Sequence, residues 1–528
     1  MKKLSGLLAI ALFSINCSTV KRKNAQLDVF ISVEQMQQDV DYTYQKLKQL
    51  HPNLYTYIDK PSLDYKFDSL KTTITSPLKP LGFYKKLSPI VAAVRQGHSL
   101  VYTPTKQLTK KEAKLLEKKG VGPISQFDLD VIDDKLYVIK NKSHDPSIQA
   151  GTEIVSMNTI KPSELITEYD RYFSSDGFNT TYKSAVASRK MASYFTSEKG
   201  IMDSIQYRFK FKDSIKDITI VRKVSEKPKK DSLKENVPQV KQVVTQAKNE
   251  STKALRRKKR INGYNKEAQN FTRNFNFATK DSSVAYMKIR GFKNKSYKTF
   301  YKESFQQLKN SKSKTLILDL RSNGGGRLSE IVELYSYLTD SSFVFLDKSE
   351  VVSRASLLRG SYFESSSLPE KVIKVVFAPF AYAFGQVAVQ KDNDGKYYSK
   401  SYTKPKKPKA TAFSGKLYVI INGGSFSASS IISSNLKGSQ RGTFVGQETG
   451  GAYNGTVAGF MPEIKLPNSQ LKVRIGVMNI VPHFKTNILG HGIYPDHEIT
   501  PTLQDKIEGK DPELQWILQD IKNELPQH

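Results

Sequence analysis

The stretch KLYVIINGGSFSASSIISSNLKGSQRGTFVGQETGG, residues 416–451, holds the pattern from which the fold of this chain is predicted. Residues 417–421 are apolar and mostly β-branched or aromatic, and two glycines follow at 423 and 424, which is typical of a buried parallel strand that ends in a turn. Beyond a cluster of serines, apolar residues recur at helical spacing. The stretch therefore predicts a strand, a sharp turn and a helix, with a serine at the bend.

A serine at such a bend lies where a nucleophile works well. The first N–H groups of a helix have no partner inside the helix and carry the positive end of its dipole, so an oxyanion would be stabilised there. The same small residues are also typical of a tight turn without a catalytic role, in which Ser429 or Ser430 caps the helix. The residues alone leave both interpretations open, and they do not distinguish Ser425 and Ser427 from these two.

Residues 1–17, MKKLSGLLAIALFSINC, have the composition of an export signal. Two lysines precede an apolar segment that is too short to span a bilayer, and small and polar residues follow. Cys17 is the only cysteine, which excludes a disulfide within the chain, and its position resembles the lipidated first residue of a bacterial lipoprotein. We expect a periplasmic or outer-membrane-associated envelope lipoprotein, attached to the membrane through Cys17. The alternative is ordinary cleavage near this point and an unmodified or removed thiol.

The chain of 528 residues has a formal net charge of +33, and much of the excess lies between residues 222 and 266. This run has few large apolar residues and predicts a solvated basic linker or insertion at 223–275. Positive charge can serve nucleic-acid binding, but the sequence contains no RNP, helix-turn-helix or zinc-knuckle pattern. We therefore expect no specific nucleic-acid partner, and we interpret the excess as a basic exterior that faces an anionic envelope surface.

The spacing of apolar residues divides the rest of the chain into regions of different type. Residues 27–105 have helical spacing, with a capping box predicted at Ser32 and Gln35. Residues 115–222 consist of short alternating runs, which predict a small β-rich module. Strands and helices alternate in residues 276–505, which predicts an α/β core.

Two further segments accompany this core. Residues 341–411 interrupt it with an aromatic patch and a lysine-rich hairpin, which form either a lid over a cleft or an additional sheet with ordinary core packing. Residues 506–528 are predicted to form a C-terminal helix.

His98 and the glycines at 324–326 are candidate site residues outside the opening stretch. His98 follows a helix predicted to end at Gly97 and precedes a strand, so its backbone direction is fixed; the alternative is a surface histidine favoured by the helix dipole. The three glycines allow positive φ and bring backbone N–H groups close to a ligand, or they form a simple turn. They are not a phosphate loop, because Arg327 and Leu328 follow them. The remaining histidines lack metal-ligand spacing, so we expect no metal or other cofactor.

Three motifs resemble, in the same order along the chain, those of peptidase family S41, the C-terminal processing and tricorn-like serine proteases. They are LILDLRSNGGG at 316–326, SFSASS at 425–430 and FVGQETGG at 444–451. In addition, RQGHS resembles the N-terminal part of tricorn-like members, and QAGTEIVSMN resembles the end of a PDZ domain. The resemblance implies an α/β multidomain fold with a helical N-terminal domain, a PDZ-like module and a ClpP/crotonase-like catalytic core.

The resemblance also implies roles for single residues of the opening stretch and the glycine turn. Ser427 matches the nucleophile of the family. The N–H of Ala428 would be one oxyanion donor, and that of Gly324 or Gly325 the other.

The base and the orienting acid depart from part of the family's pattern. Ala452 stands where processing proteases have a catalytic lysine, whereas tricorn-like relatives use a histidine at the position matched by His98. An ordinary histidine pKa suits a base near neutrality. The glutamate that these relatives carry shortly before a Gly-x-x-Pro-Asp phrase is missing here. The orienting acid is therefore assigned to Glu448 as a candidate, with His491 a polar group of unassigned role.

We therefore expect a serine peptidase that hydrolyses peptide bonds of envelope proteins or peptides. The missing glutamate motivates an alternative, a catalytically weak or inactive S41-like binding protein for peptides or apolar ligands. A third hypothesis is an envelope adhesion or nucleic-acid-binding lipoprotein driven by charge, whose affinity would fall steeply with salt.

Overall fold

The computed structural model describes residues 20–224, 252–293, 295–354, 387 and 389–524. The predicted export signal with Cys17 and the larger part of the basic run lie outside these residues. None of the described helices combines the length and the apolar character needed to cross a membrane.

The N-terminal region contains the helices α1, Val33–Leu50, α2, Lys60–Thr72, and α3, Pro80–Ala92. The predicted capping box is confirmed, since Ser32 Oγ accepts a hydrogen bond from the N–H of Gln35, whose side chain in turn accepts from the N–H of Ser32. This reciprocal pair satisfies two backbone donors that the first turn would otherwise leave open.

Helix α3 ends earlier than the sequence predicts. Its last residue is Ala92, and the N–H groups of Val94 and Arg95 each bond to a carbonyl three residues back, so the chain tightens before Gly97. The two-residue strand β1, Leu100–Val101, follows. His98 therefore lies in a short turn between a helix and a strand.

Helix α4, Lys110–Lys119, leads into an antiparallel sheet of five strands in chain order. The strands are β2 Phe127–Ile132, β3 Lys135–Asn141, β4 Glu153–Met157, β5 Ser204–Phe211 and β6 Ser214–Val221. Helices α5, Pro162–Tyr169, and α6, Thr181–Lys199, lie between β4 and β5. These strands lie in the region, 115–222, for which the sequence predicts a small β-rich module.

The elements after residue 251 belong mainly to the core. In chain order they are α7 Thr252–Asn262, β7 Tyr264–Asn265, β8 Asn270–Phe271, β9 Arg273–Phe277, β10 Val284–Ile289, α8 Tyr297–Lys309, β11 Thr315–Asp319, α9 Leu328–Tyr335, β12 Ser349–Val351, β13 Val389–Lys391, β14 Tyr397–Ser399, β15 Lys416–Ile421, α10 Ala428–Gly438, β16 Thr443–Gly446, β17 Thr456–Ala458, β18 Glu463–Lys465, β19 Lys472–Arg474, β20 Met478–Ile480, β21 His497–Glu498, α11 Leu503–Glu508 and α12 Pro512–Glu524.

A six-stranded sheet is the centre of this core, in the order β21-β16-β15-β11-β10-β9. All neighbours are parallel except β9, which runs antiparallel to β10. The strand predicted at 417–421 is confirmed as β15, and the helix predicted after the serine cluster is α10. Strands β10 and β11 are further parallel strands of the same sheet. Parallel strands joined through helices give the α/β core that the sequence predicts.

Strand β15 is buried on both faces of the sheet, which explains its uninterrupted apolar run. Leu417, Val419 and Ile421 point to the face covered by α9 and α10, whereas Tyr418 and Ile420 point to the face covered by α12. The alternation follows from the two-residue period of a strand. The strand is thereby held in one register, and the bend after it has a fixed position.

Two smaller sheets flank the core. One has the order β13-β14-β12-β20-β17, so the described strands of the segment 341–411 join an additional sheet, as the second of the two interpretations predicts. The aromatic patch of that segment lies outside the described residues. The other sheet, β1-β19-β18, pairs Leu100 with Arg474 and Val101 with Val473. It joins the N-terminal region to the core beside His98.

The last part of the predicted basic linker is folded. Arg273, at the start of β9, has no exposed surface, and its guanidinium donates to the carbonyl oxygens of Ile261 at 2.5 Å and Lys295 at 2.7 Å. The same guanidinium lies 3.9 Å from the centre of the Tyr297 ring. Charge pattern alone misleads here, because an arginine with carbonyl acceptors and an aromatic face can be buried.

His51, directly after α1, is expected to make the stability of the fold sensitive to acid. It is buried, neither ring nitrogen has a hydrogen-bond partner in the described part of the chain, and burial lowers its pKa to about 3. The unfolded chain, with an ordinary histidine pKa, therefore binds one proton more between about pH 6.5 and 3, and this group makes stability fall as the pH falls through that window.

We expect His51→Met to flatten the pH dependence of the free energy of unfolding by about 1.4 kcal/mol per pH unit, one proton's worth, between about pH 6 and 4. The measurement is urea unfolding of the variant and the unsubstituted chain across this range. His144→Met, at an exposed histidine, is the matched control. Parallel curves for His51→Met and the unsubstituted chain would show that the proton uptake occurs elsewhere.

Candidate active site

Ser427 lies at the bend between β15 and α10 in a backbone conformation that non-glycine residues rarely adopt. Its φ is 58° and its ψ is −124°. The bend is held by hydrogen bonds on both sides: Ser425 Oγ donates to the carbonyl of Leu320, and the side-chain oxygen of Asn422 accepts from the N–H of Gly424. The surrounding structure thus imposes a strained conformation, as is often found at functional positions.

His98 meets this serine across 329 residues of sequence. Its Nε2 lies 3.1 Å from Ser427 Oγ, within hydrogen-bond distance. The carbonyl of His98 accepts from Arg474 Nε at 2.8 Å, and the His98 ring stacks on Phe426 with centroids 4.9 Å apart. The two residues that the sequence selects as nucleophile and base are therefore brought together.

The environment of His98 favours its neutral form. Burial lowers the pKa of His98 to about 3, and the nearby positive charge of Arg474 lowers it further in the same direction. A neutral imidazole can accept the proton of a serine hydroxyl if the other ring nitrogen carries the hydrogen. The tautomer of His98 thus depends on what faces Nδ1.

Thr456 faces Nδ1 of His98. Its Oγ1 lies 3.1 Å from Nδ1, and the residue is buried at the start of β17. Sequence reasoning missed Thr456, since a single threonine at the start of a short strand carries no local signal. Only the long-range packing of β17 beside the His98 turn shows its position.

Glu448, the sequence candidate for the orienting acid, makes other contacts. Its Oε1 accepts from the N–H of Gly492 at 2.7 Å and lies 3.3 Å from His491 Nδ1. These contacts fix the loop around residues 491–492. In the described hydrogen bonds, the second ring nitrogen of His98 therefore faces Thr456, whereas Glu448 contacts a different loop.

The candidate oxyanion donors differ in whether their N–H groups already have a partner. Ala428 is the first residue of α10, so its N–H has no partner inside the helix. The N–H of Gly325, in contrast, already donates to Asn323 Oδ1 at 3.0 Å. Gly324 faces open space, because a Cβ built there would meet no atom within 4 Å. Of the two glycines, the geometry favours Gly324 as the second donor.

Gly325 has a different task, which is to allow two backbone segments to approach. Its φ is 90°, and a Cβ at this position would lie 2.7 Å from Ser427 Cβ and 2.8 Å from the nitrogen of Ala428. Any side chain would therefore displace the serine bend. The glycine turn after β11 and the bend after β15 fit together only without one.

Within the described ranges, no cluster of three or more histidine, cysteine, aspartate or glutamate side chains has an arrangement that would hold a metal ion.

Comparisons with known proteins show what this chain is similar to. Residues 283–499 match the model of peptidase family S41. The structure of mature CPAF superposes with a TM-score of 0.58 at 14% identity, covering 94% of this chain and 99% of that chain. Mature CPAF complexed with lactacystin gives a TM-score of 0.60 at 13% identity, covering 93% and 98%. No curated protein sequence matches the chain. At these identities the structural likeness concerns the fold.

The strain at Ser427 predicts an unusual order of stabilities. Glycine adopts a positive φ without a steric penalty, so we expect Ser427→Gly to be more stable than Ser427→Ala by about 1 kcal/mol. Ser429 lies in the first turn of α10, and its Oγ has no partner among the described residues. There the order should reverse, with the glycine variant less stable by about 1 kcal/mol. Urea unfolding of the four variants measures both differences, and the same order at both positions would contradict a strained bend.

Proposed function

We propose that this chain, whose residues 283–499 match the model of peptidase family S41, hydrolyses peptide bonds through an acyl-enzyme on Ser427, with His98 as the base. The observation that carries the proposal is the distance of 3.1 Å between His98 Nε2 and Ser427 Oγ. A buried neutral imidazole at hydrogen-bond distance from a hydroxyl at a strained bend is the arrangement that nucleophilic catalysis requires.

The reaction follows from these positions. His98 Nε2 takes the proton of Ser427 Oγ as the oxygen attacks the carbonyl carbon of the substrate. The oxyanion of the tetrahedral intermediate accepts hydrogen bonds from the N–H of Ala428 and a glycine N–H, for which Gly324 is our candidate. The imidazolium then gives its proton to the leaving amine. Water, deprotonated by the same imidazole, hydrolyses the ester and restores Ser427.

The substrates that we propose are proteins or peptides of the bacterial envelope. The support is the export pattern of residues 1–17 and the lipoprotein-like position of Cys17. A lipid anchor at Cys17 would keep the protein at the periplasmic or outer-membrane surface. The strongly basic composition suits the negative charge of such a surface.

A binding protein with the same fold is the second candidate. It is favoured by two observations: Glu448 contacts His491 and Gly492, and burial lowers the pKa of His98 to about 3. A base with so low a pKa has little tendency to hold the proton that it takes. Saturable binding of peptides or apolar ligands without serine-dependent cleavage would favour this candidate.

We expect Ser427→Ala and His98→Ala each to lower the cleavage of a denatured protein pool by at least about 10³-fold, because the nucleophile and its base act as a unit. Active-site labelling by a fluorophosphonate should disappear with Ser427→Ala. Lactacystin, which is present in one structure of mature CPAF, is a second probe of the same serine.

Ser429→Ala and His483→Ala are the matched controls, since they remove a neighbouring serine hydroxyl and a histidine away from the site. Both should keep the activity and the labelling. Full turnover by a homogeneous Ser427→Ala protein, or loss of labelling in Ser429→Ala alone, would refute the assignment.

The dependence of activity on acidic pH gives a further prediction. A base must be deprotonated, and a pKa lowered by burial extends the active range downwards. We expect kcat/KM to persist below about pH 5, whereas an ordinary histidine would give a midpoint near about 6.5. The profile is measured with short incubations, and the folded state is followed by the fluorescence of Trp516, the only tryptophan. A midpoint near 6.5 in folded protein would contradict the buried neutral base.

A further inference from the structure

Asp176 is a buried carboxyl close to the catalytic pair that the sequence does not point to. It follows helix α5 in the turn before α6 and has no exposed surface. Its Oδ1 accepts from the N–H of Gly97 at 2.9 Å, so it holds the backbone immediately before His98. Its Oδ2 finds no partner at hydrogen-bond distance among the described residues. A buried acid thus lies next to the backbone of the base, and one of its two oxygens can still accept a hydrogen bond.

Thr456 is one of three groups that act on this carboxyl. Burial raises the pKa of Asp176 to about 6, while the N–H of Gly97, the hydroxyl of Thr456 and the N–H of Ala452 act to lower it. All three are donors, and they favour the ionised form. The same hydroxyl lies 3.1 Å from His98 Nδ1. Thr456 therefore contacts the imidazole directly and acts on the acid across a gap wider than a hydrogen bond.

The chemistry of the three groups gives these contacts a direction. An ionised carboxylate can only accept hydrogen bonds, so a hydroxyl that faces it must donate. When the proton of Thr456 points to Asp176, the lone pairs of Oγ1 are left for His98, and Nδ1 must carry the hydrogen. The lone pair of Nε2 then faces Ser427, as a base requires.

We propose that Asp176, acting through Thr456, is the acid that orients His98 and selects the tautomer with hydrogen on Nδ1. This inference rests on the proposed peptidase function. Asp176 and Thr456 are positioning residues, since they act through His98. Asp176 thereby replaces Glu448, the candidate from the sequence, as the orienting acid.

The order Ser427, His98, Thr456 and Asp176 forms a chain of contacts drawn from four segments. The contact between Thr456 and Asp176 is looser than the others, and hydrogen bonds of a catalytic site often tighten only with substrate. Two ionisable groups that sense the charge of Asp176 are Tyr57 and Tyr182, whose pKa values burial raises and the nearby carboxylate raises further. Both stay neutral near neutrality, so neither supplies a competing charge.

The first test compares variants of the full chain by their steady-state kinetics. Asp176→Asn keeps an oxygen for Gly97 but places an amide donor toward Thr456. The hydroxyl then accepts from the amide and donates to Nδ1, which selects the wrong tautomer. We expect kcat to fall by about 10²- to 10³-fold with KM changed less than about twofold, somewhat less than for a directly bound aspartate.

Thr456→Val, which keeps the shape and removes the hydroxyl, should lower kcat by about 10- to 100-fold, and Thr456→Ser should restore most of it. The double variant Thr456→Val/Asp176→Asn should be no slower than the slower single variant, because both changes break the same chain. The matched controls are Asp170→Asn and Thr152→Val, at other side chains with an oxygen unpartnered among the described residues, and they should keep kcat. Folded Thr456→Val or Asp176→Asn with unchanged kcat would overturn the proposal.

The second test needs no turnover and so separates this proposal from the peptidase function. In protein with ¹⁵N-labelled histidine, the His98 signals are identified by their loss in His98→Ala. At pH 7 we expect hydrogen on Nδ1 and none on Nε2 in the unsubstituted chain, and a shift toward the opposite tautomer in Asp176→Asn. Hydrogen on Nε2 in the unsubstituted chain would overturn the proposal even if no variant folds. The expected tautomer in a chain that cleaves nothing would refute the peptidase function alone.

Discussion

The pairing of β1 with β19 is the interaction on which the candidate site depends. These two short strands exchange backbone hydrogen bonds at Leu100 and Val101, and Arg474 at the end of β19 also donates to the carbonyl of His98. The pairing ties the N-terminal region, to which the His98 turn belongs, to the core. This pairing holds the turn over the end of β15. Ser427 lies there, at a bend whose position the parallel sheet fixes.

The sequence predicts those parts of the structure that local pattern controls. The apolar runs of β10, β11 and β15, the capping box at Ser32, and the bend with its serine cluster are all visible in spacing and residue type. The choice of Ser427 and His98 comes from resemblance to a family, and the structure brings the two together. The end of α3 is misjudged by a few residues, because a turn of helix can tighten and stop without glycine or proline.

Thr456, Asp176 and the roles of the two glycines are beyond such reasoning. They depend on which distant segments pack together, and a buried threonine or aspartate in a turn has no periodicity to mark it. Arg273 shows the opposite failure, because a basic run suggests solvent while the structure buries the guanidinium among carbonyl oxygens. In both cases tertiary contacts decide the environment of a polar side chain, and composition does not.

The distance in sequence between His98 and Ser427 has a consequence for when the site can assemble during synthesis. Synthesis produces the histidine first and the serine 329 residues later, and β19, which clamps the histidine, comes later still. A nascent or truncated chain that ends before residue 474 has no assembled pair, whatever its N-terminal helices have already formed. The candidate catalytic pair, with the strand that holds its histidine, thus cannot assemble before residue 474 has been made.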